Sequence, residues 1–201
     1  MPATEEKPFR DRVEVLATDA DGRVFGATYP DGGGFGGYGG GIEAGETPTQ
    51  AAEREFLEET GRTISNVRLL PLPPVEIEWG DGDTAGGEKK KRREKYRGSR
   101  TVYATADLGE PVAGVKRERD RHGRKKGTLF SVADAIASLS DEGEFAATNV
   151  ARKRALRYIA KAAPPVALAK AAAAVYPTVF AVPAFFKRAT PTGHTKKTLT
   201  H

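Results

Sequence analysis

One segment of the chain, GGGIEAGETPTQAAEREFLEETGR, constrains the fold most because it contains a helix whose two ends are both marked. Thr47 is a favourable N-cap, Pro48 suits the first helical position, and Gln50 completes a capping box with Thr47. Gly61 is a typical C-terminal stop. The pattern predicts a helix over residues 48–60, about 20 Å long at about 1.5 Å per residue.

Three acidic residues lie close together near the end of this helix, at Glu55, Glu58 and Glu59. A helix carries negative partial charge at its C-terminal end, and like charges three or four residues apart repel each other. A positive group is therefore expected among them. Carboxylate oxygens are hard ligands that suit magnesium or manganese, and Arg54 is placed to orient one of the acids by an ion pair.

A glycine-rich segment precedes the helix, since residues 31–41, DGGGFGGYGGG, contain eight glycines. This density predicts a loop without regular structure, held in place by the packing of Phe35 and Tyr38. Glycines let the backbone approach a ligand closely, and backbone amides or carbonyls can then contact phosphate or metal. A loop that folds back would also bring Glu46 near the acidic cluster.

Taken together, these residues resemble the Nudix box, G-x5-E-x7-R-E-U-x-E-E-x-G-U, in which U is a bulky aliphatic residue. The seven fixed positions are matched by Gly40, Glu46, Arg54, Glu55, Glu58, Glu59 and Gly61. Three neighbours depart from the usual pattern. Phe56 is aromatic at the first U, Arg62 is charged at the second, and Tyr38 stands where many relatives have proline. Ile64 is expected to fill the pocket of the second U.

The resemblance implies an α/β fold, an α/β/α sandwich around a mixed sheet, and hydrolysis of a nucleoside diphosphate linked to another moiety. It implies that Mg²⁺ or Mn²⁺ is bound by Glu55, Glu58 and Glu59 together with Gly40. It also implies that catalysis depends on Glu58, Glu55, Arg54 and Glu46, of which Arg54 and Glu46 support the site.

Two questions stay open at the level of the sequence. The general base is either a glutamate of the box or an acid from a later loop, with Glu118, Glu142 and Glu144 as candidates. The substrate is a nucleotide sugar, a nucleoside triphosphate or a dinucleoside polyphosphate. The alternative is a Nudix-like module that binds a nucleotide or RNA with little turnover.

Composition sets the broad class. The chain has 201 residues, with 32 basic and 27 acidic residues and a net charge of +5, which favours anionic partners without requiring nucleic acid. It has no cysteine, which excludes disulfides and thiolate zinc sites.

The polar N-terminus is unlike a secretory signal, so a cytoplasmic location is expected. We expect a flexible arm over 1–10, the hydrolase domain over 11–163 and an extension over 164–201.

Two basic runs, at residues 89–97 and 116–126, flank a predicted strand. They are either solvated loops or a cationic rim for substrate phosphates or RNA. RNA is weakly supported, because Tyr96 is the only aromatic residue within them. Trp79, the single tryptophan, is expected to pack in the core or anchor a loop, with base stacking as the alternative.

The Pro/Ala-rich segment 164–188 is apolar but contains four prolines and Lys170. These residues argue against a membrane span, and no membrane partner is expected. The segment is instead expected to dock on the domain or on a neighbouring subunit, which would make a homo-oligomer.

Hydrophobic patterning elsewhere predicts strands at 13–18, 23–29 and 99–108, strand pieces within 67–79, an irregular segment at 80–98, and a helix at 148–163 capped by Thr148 or Asn149.

Overall fold

The computed structural model describes residues 6–29, 34–80, 88–115 and 127–162. Within these ranges the chain forms strands and helices in the order β1 (Phe9–Thr18), β2 (Val24–Tyr29), β3 (Gly34–Gly36), α1 (Pro48–Thr60), β4 (Arg62–Leu69), β5 (Val75–Glu78), α2 (Glu88–Lys95), β6 (Gly98–Pro111), β7 (Thr128–Phe130), α3 (Val132–Ala137) and α4 (Ala146–Ala162).

The strands form a mixed sheet with β1 near its centre, in the order β3-β2-β1-β6-β4. β1 runs parallel to β6, from Phe9 opposite Gly98 to Thr18 opposite Asp107. The other strand pairs are antiparallel, and they include β5 with β6 and β7 with β2. The sheet therefore depends on one long parallel pair in its middle.

Helices cover both faces of the sheet because successive residues of β1 point to opposite sides. Val13, Val15 and Ala17 pack in one buried cluster with Ala52 and Phe56 of α1. Leu16 belongs to a second buried cluster, to which α3 and α4 contribute Ala135, Ala155, Leu156 and Ile159. The predicted α/β/α sandwich around a mixed sheet is confirmed.

Helix α1 begins and ends where its sequence signals predict. The Thr47 hydroxyl accepts a hydrogen bond from the Gln50 amide at 3.2 Å, and Gln50 Oε1 accepts one from the Thr47 amide at 2.9 Å. Gly61 adopts the left-handed conformation at φ 68°, and its amide donates to the Leu57 carbonyl at 2.7 Å. Local sequence therefore fixes the ends of the helix that carries the acidic cluster.

The structure corrects two predictions of irregular chain. The glycine-rich segment contains the short strand β3, because its residues 34–36 pair with residues 27–29 of β2, with Phe35 opposite Thr28. The segment 80–98 contains the helix α2, although EKKKRREK lacks apolar residues that could mark a buried face. Residues 81–87 lie outside the described ranges.

Two element boundaries also differ. β1 begins at Phe9, within the segment expected to form an arm, because Phe9 is buried and Phe9 and Arg10 pair with β6. α4 begins at Ala146, so neither Thr148 nor Asn149 caps it. The Asn149 side chain instead donates to the Ser140 carbonyl at 2.9 Å.

Some predictions fall outside the described residues: the basic run 116–126, Glu118 and the apolar segment 164–188. The docking of that segment and the homo-oligomer therefore stay predictions. In the described part of the chain, no helix combines the length and the apolar character that crossing a membrane requires.

Candidate functional site

The glycine-rich segment is attached to the edge of β1 by backbone hydrogen bonds. The Val13 amide donates to the Gly40 carbonyl at 3.0 Å, and the Val15 amide donates to the Tyr38 carbonyl at 2.7 Å. Phe35 and Tyr38 are buried, as predicted. The segment is thus held in register with the central strand, which fixes the position of its glycines.

Two of these glycines lie directly against the carboxylates of α1. The Gly39 amide donates to Glu59 Oε2 at 3.1 Å. A β-carbon on Gly40 would overlap with the carboxylate of Glu55. Only glycine therefore allows the loop and the helix to approach this closely at residue 40.

Arg54 is the centre of the site, because its guanidinium contacts three acids and the loop. Nε and Nη2 donate to the two carboxylate oxygens of Glu46, both at 2.9 Å. Nη1 donates to Glu55 at 3.0 Å and to Glu58 at 3.4 Å. Nη2 also donates to the Gly41 carbonyl at 3.0 Å. Residues that are separate in the sequence pattern are thus brought together by one side chain.

The Glu46–Arg54 pair shifts the pKa of both groups. Hydrogen bonds from Arg54 and, to a smaller extent, from the Glu43 amide lower the pKa of the Glu46 carboxyl to about 2. The Glu46 hydrogen bond raises the pKa of Arg54, and Glu55 adds to that effect against the opposing effect of burial. The bidentate geometry is the strong form of this interaction, so the loop that carries Glu46 is firmly tied to α1.

The residues fit a divalent cation in their chemistry, although the described ranges contain no ready-made group of three acidic or histidine ligands. Glu55 and Glu58 are directed towards Arg54, and Glu59 towards Gly39. Carboxylates are the preferred ligands of Mg²⁺ and Mn²⁺, and the Gly40 carbonyl keeps one lone pair beyond its bond to Val13. The metal site at Glu55, Glu58, Glu59 and Gly40 therefore stays a prediction.

Of the later candidates for the general base, the two that the structure describes do not join this cluster, and Glu118 lies outside the described residues. Glu142 and Glu144 are exposed in the connection between α3 and α4, which are the helices that cover the other face of the sheet. The identity of the base therefore stays open.

Sequence reasoning missed Arg10, which it assigned to the arm. The Arg10 guanidinium lies against Gly41, where a β-carbon would overlap with it, and Glu55 is among the charges that act on it. Burial lowers the pKa of Arg10, and the positive charges of Arg92 and Arg12 lower it further. The apolar residues at the odd positions 9, 13, 15 and 17, interrupted by Asp11, were the available signal that the strand begins before Val13.

Comparison with known proteins agrees with this geometry. Residues 8–145 match the family model described as the NUDIX domain. The RNA pyrophosphohydrolases of Aliivibrio fischeri strain MJ11 and Photobacterium profundum are 34% and 33% identical over 100 residues, which cover 41% of this chain. Those matches span about half of the relatives, 54% and 53%.

A solved structure shows the same fold. The MutT protein from Bacillus halodurans superposes with a TM-score of 0.50 at 18% identity, over 74% of this chain and 82% of the other.

Proposed function

This chain belongs to the NUDIX domain family, and on that basis we propose that it is a magnesium-dependent hydrolase that cleaves a diphosphate bond in a nucleotide. The products each carry a phosphate, because water attacks one phosphorus of the bridge. The observation that supports the proposal most directly is the Arg54 network, which joins Glu46, Glu55 and Glu58 around one guanidinium.

In this proposal Glu55, Glu58, Glu59 and the Gly40 carbonyl hold the cation, for which manganese is the alternative to magnesium. When bound, the cation neutralises charge on the phosphates and makes an attacking water more acidic. The carboxylates lie on one helix whose two ends are capped, so their spacing is set by the backbone. Their mutual repulsion then favours uptake of the cation.

Arg54 and Glu46 are positioning residues in this proposal. Arg54 contacts Glu55 through Nη1 and the Gly41 carbonyl through Nη2, and Glu46 fixes the orientation of its guanidinium. Partners that orient metal ligands in this way commonly affect metal affinity or activity by about 10–100-fold when they are replaced.

The substrate is proposed as a nucleotide with a phosphate anhydride: a nucleotide sugar, a nucleoside triphosphate, a dinucleoside polyphosphate or the 5′ end of an RNA. The last is included because relatives that match over part of their length are named RNA pyrophosphohydrolases. The candidate site selects for the anhydride and is compatible with each of these classes.

The test is a substrate panel with magnesium and identification of the products. We expect phosphate-bearing products from the protein and from Glu53→Gln, and a loss of turnover in Glu58→Gln. Glu53 is the matched control because it is exposed on the same helix. Equal turnover by the two variants would contradict the role given to Glu58.

A second candidate function is a nucleotide- or RNA-binding module with little turnover. One observation favours it, since Arg54 already partners Glu55 and Glu58 as a cation would. The same panel separates the two candidates. Nucleotide binding without any products, at the same affinity in Glu58→Gln, would support the module.

A further inference from the structure

An open cleft lies beside β5 and α2, at a distance along the chain from the box. It has a volume of about 670 Å³, and its walls include Trp79, Lys90, Arg93, Tyr96, Arg97 and Lys7. The volume lies in the range of ligand sites, which is about 300–1,000 Å³. We refer to it as the α2 cleft.

The fold brings two aromatic side chains into this cleft. Trp79 follows β5 and Tyr96 follows α2, so the sequence separates them by a long charged segment. Both side chains are half-buried and line the same space. Tyr96 is the only aromatic residue within the two basic runs, but the fold adds Trp79 from outside them, so the cleft has two surfaces on which a base can stack.

The walls of the cleft are held in place by contacts between its residues. The Trp79 amide donates to the Arg97 carbonyl at 2.9 Å, and Arg93 Nη1 donates to the Gly80 carbonyl at 2.6 Å. Lys7 Nζ donates to the Arg93 carbonyl at 2.9 Å. The rings are thus presented by a preformed surface, which reduces the entropic cost of binding.

The charge of the cleft favours an anion. α2 has the sequence EKKKRREK, in which basic residues recur at adjacent turns and repel one another. Three acids, Glu6, Glu78 and Glu94, also line the cleft, and the pair of Glu6 with Arg97 neutralises one acid and one base. The remaining lining has three basic residues, Lys7, Lys90 and Arg93, against two acids. Lys90 is exposed at its edge. The positive charge of α2 is therefore only partly compensated within the cleft.

Arg10 connects the cleft to the candidate site. Its charge is coupled to Arg92 and Tyr96 in the region of α2 and to Glu55 of α1. It also lies against Gly41 of the glycine-rich segment. Arg12 adds further positive charge, and its Nε is buried without a hydrogen-bond partner among the described residues. Arg10 therefore places positive charge against the glycine-rich segment, within electrostatic reach of both α2 and Glu55.

We propose that the α2 cleft binds a segment of single-stranded nucleic acid whose bases stack on Trp79 and Tyr96. Its phosphates follow Lys90, Arg92 and Arg10 towards the carboxylate cluster. This inference rests on the proposed function, because the phosphates at the 5′ end of the strand are then the group that is cleaved. Stacking on aromatic rings beside a basic track is the usual means of binding single strands without sequence preference.

Trp79 provides the readout, since it is the only tryptophan of the chain. The full chain is titrated in EDTA with a 5′-hydroxyl oligoadenylate of about six nucleotides, a length within the range bound by single-strand modules. We expect the oligonucleotide to quench the emission of Trp79 and the affinity to fall steeply with salt. We expect AMP to quench only at much higher concentrations. No quenching by the oligonucleotide, or equal affinity for AMP, would overturn the proposal.

Charge-reversal variants locate the strand. Lys90→Glu is expected to weaken binding at least about fivefold at 0.1 M salt, which follows from a slope of about 0.7 per phosphate contact. Lys161→Glu is the matched control because Lys161 is exposed near the end of α4. Tyr96→Leu is expected to weaken binding without changing the salt slope. Equal affinity of the two lysine variants for the oligonucleotide would show that it binds elsewhere and would contradict the proposal.

The experiment separates this inference from the proposed function. Binding is measured without metal and without turnover, so it does not depend on hydrolysis. Oligonucleotide binding together with no cleavage of any member of the substrate panel in magnesium, a 5′-triphosphate strand included, would support the cleft and contradict the hydrolase. Cleavage of mononucleotides without oligonucleotide binding would support the hydrolase and contradict the cleft.

Discussion

The guanidinium of Arg152 on α4 and the carboxylate of Glu14 on β1 form a buried, bidentate ion pair. Arg152 Nε donates to Glu14 Oε1 at 2.6 Å, and Nη2 donates to Oε2 at 3.2 Å. Both residues are buried, and the Gly37 amide also donates to Glu14 Oε1 at 3.1 Å. The pair therefore joins the last described helix, the central strand and the glycine-rich segment.

We expect Glu14→Gln to lower the free energy of unfolding by about 3–5 kcal/mol, because it leaves the charge of Arg152 buried without compensation. The exposed pair of Arg100 and Glu76, with Nε to Oε1 at 2.8 Å, is the matched control. Glu76→Gln should cost less than about 1 kcal/mol. Denaturant unfolding measures both values, and equal effects would show that burial does not determine the strength of the first pair.

Arg54→Lys tests whether magnesium binding and turnover need the planar guanidinium of Arg54, which donates to several acceptors at once. A lysine ammonium cannot contact Glu46, Glu55 and the Gly41 carbonyl in this geometry. We expect magnesium affinity and turnover to fall by about 10–100-fold, as for other residues that orient metal ligands. Calorimetry with magnesium and steady-state kinetics measure the two effects. Arg157→Lys on the exposed surface of α4 should change neither, and a change of similar size there would invalidate the interpretation.

Gly40→Ala tests the close approach of the loop to α1. The added methyl group would overlap with the Glu55 carboxylate, so either the carboxylate or the loop must move. We expect magnesium affinity to fall by about tenfold or more, since the orientation of a ligand changes. Calorimetry checks this value, and unchanged affinity would show that Glu55 binds the cation in another orientation or not at all.

The Glu46 carboxyl should make stability depend on pH in strongly acidic solution. Its pKa is about 2 in the folded protein, below the ordinary value of 4.5, so the unfolded chain binds the proton more readily. The stabilisation is fully present above about pH 4.5 and is lost as the pH falls to about 2.

The measurement is the difference in free energy of unfolding between the protein and Glu46→Gln, which should shrink across that window. An NMR titration of Glu46 with a midpoint near 4.5 would contradict the prediction.

Local signals predicted α1 well, because its capping box and its C-terminal glycine act within the helix itself. The approach of Glu46 to the acidic cluster was also predicted, from a loop that folds back, but its bidentate pairing with Arg54 was not. α2 was not predicted, since a helix without an apolar face gives no periodic signal. Arg152 was not predicted either, because its partner Glu14 lies 138 residues away and only the folded chain brings the two together.

The parallel register of β1 and β6 has a consequence during synthesis. Phe9 pairs with Gly98, and 98 − 9 = 89, so a chain made from its N-terminus exposes one edge of β1 while 89 further residues are added. At about 5–20 residues per second, that interval lasts roughly 4–18 s. Val13, Val15 and Leu16 are apolar on both sides of this strand. The nascent chain therefore presents β1 to the ribosome exit and to chaperones with unpaired backbone groups along one edge and apolar side chains on both faces, before its sheet can close.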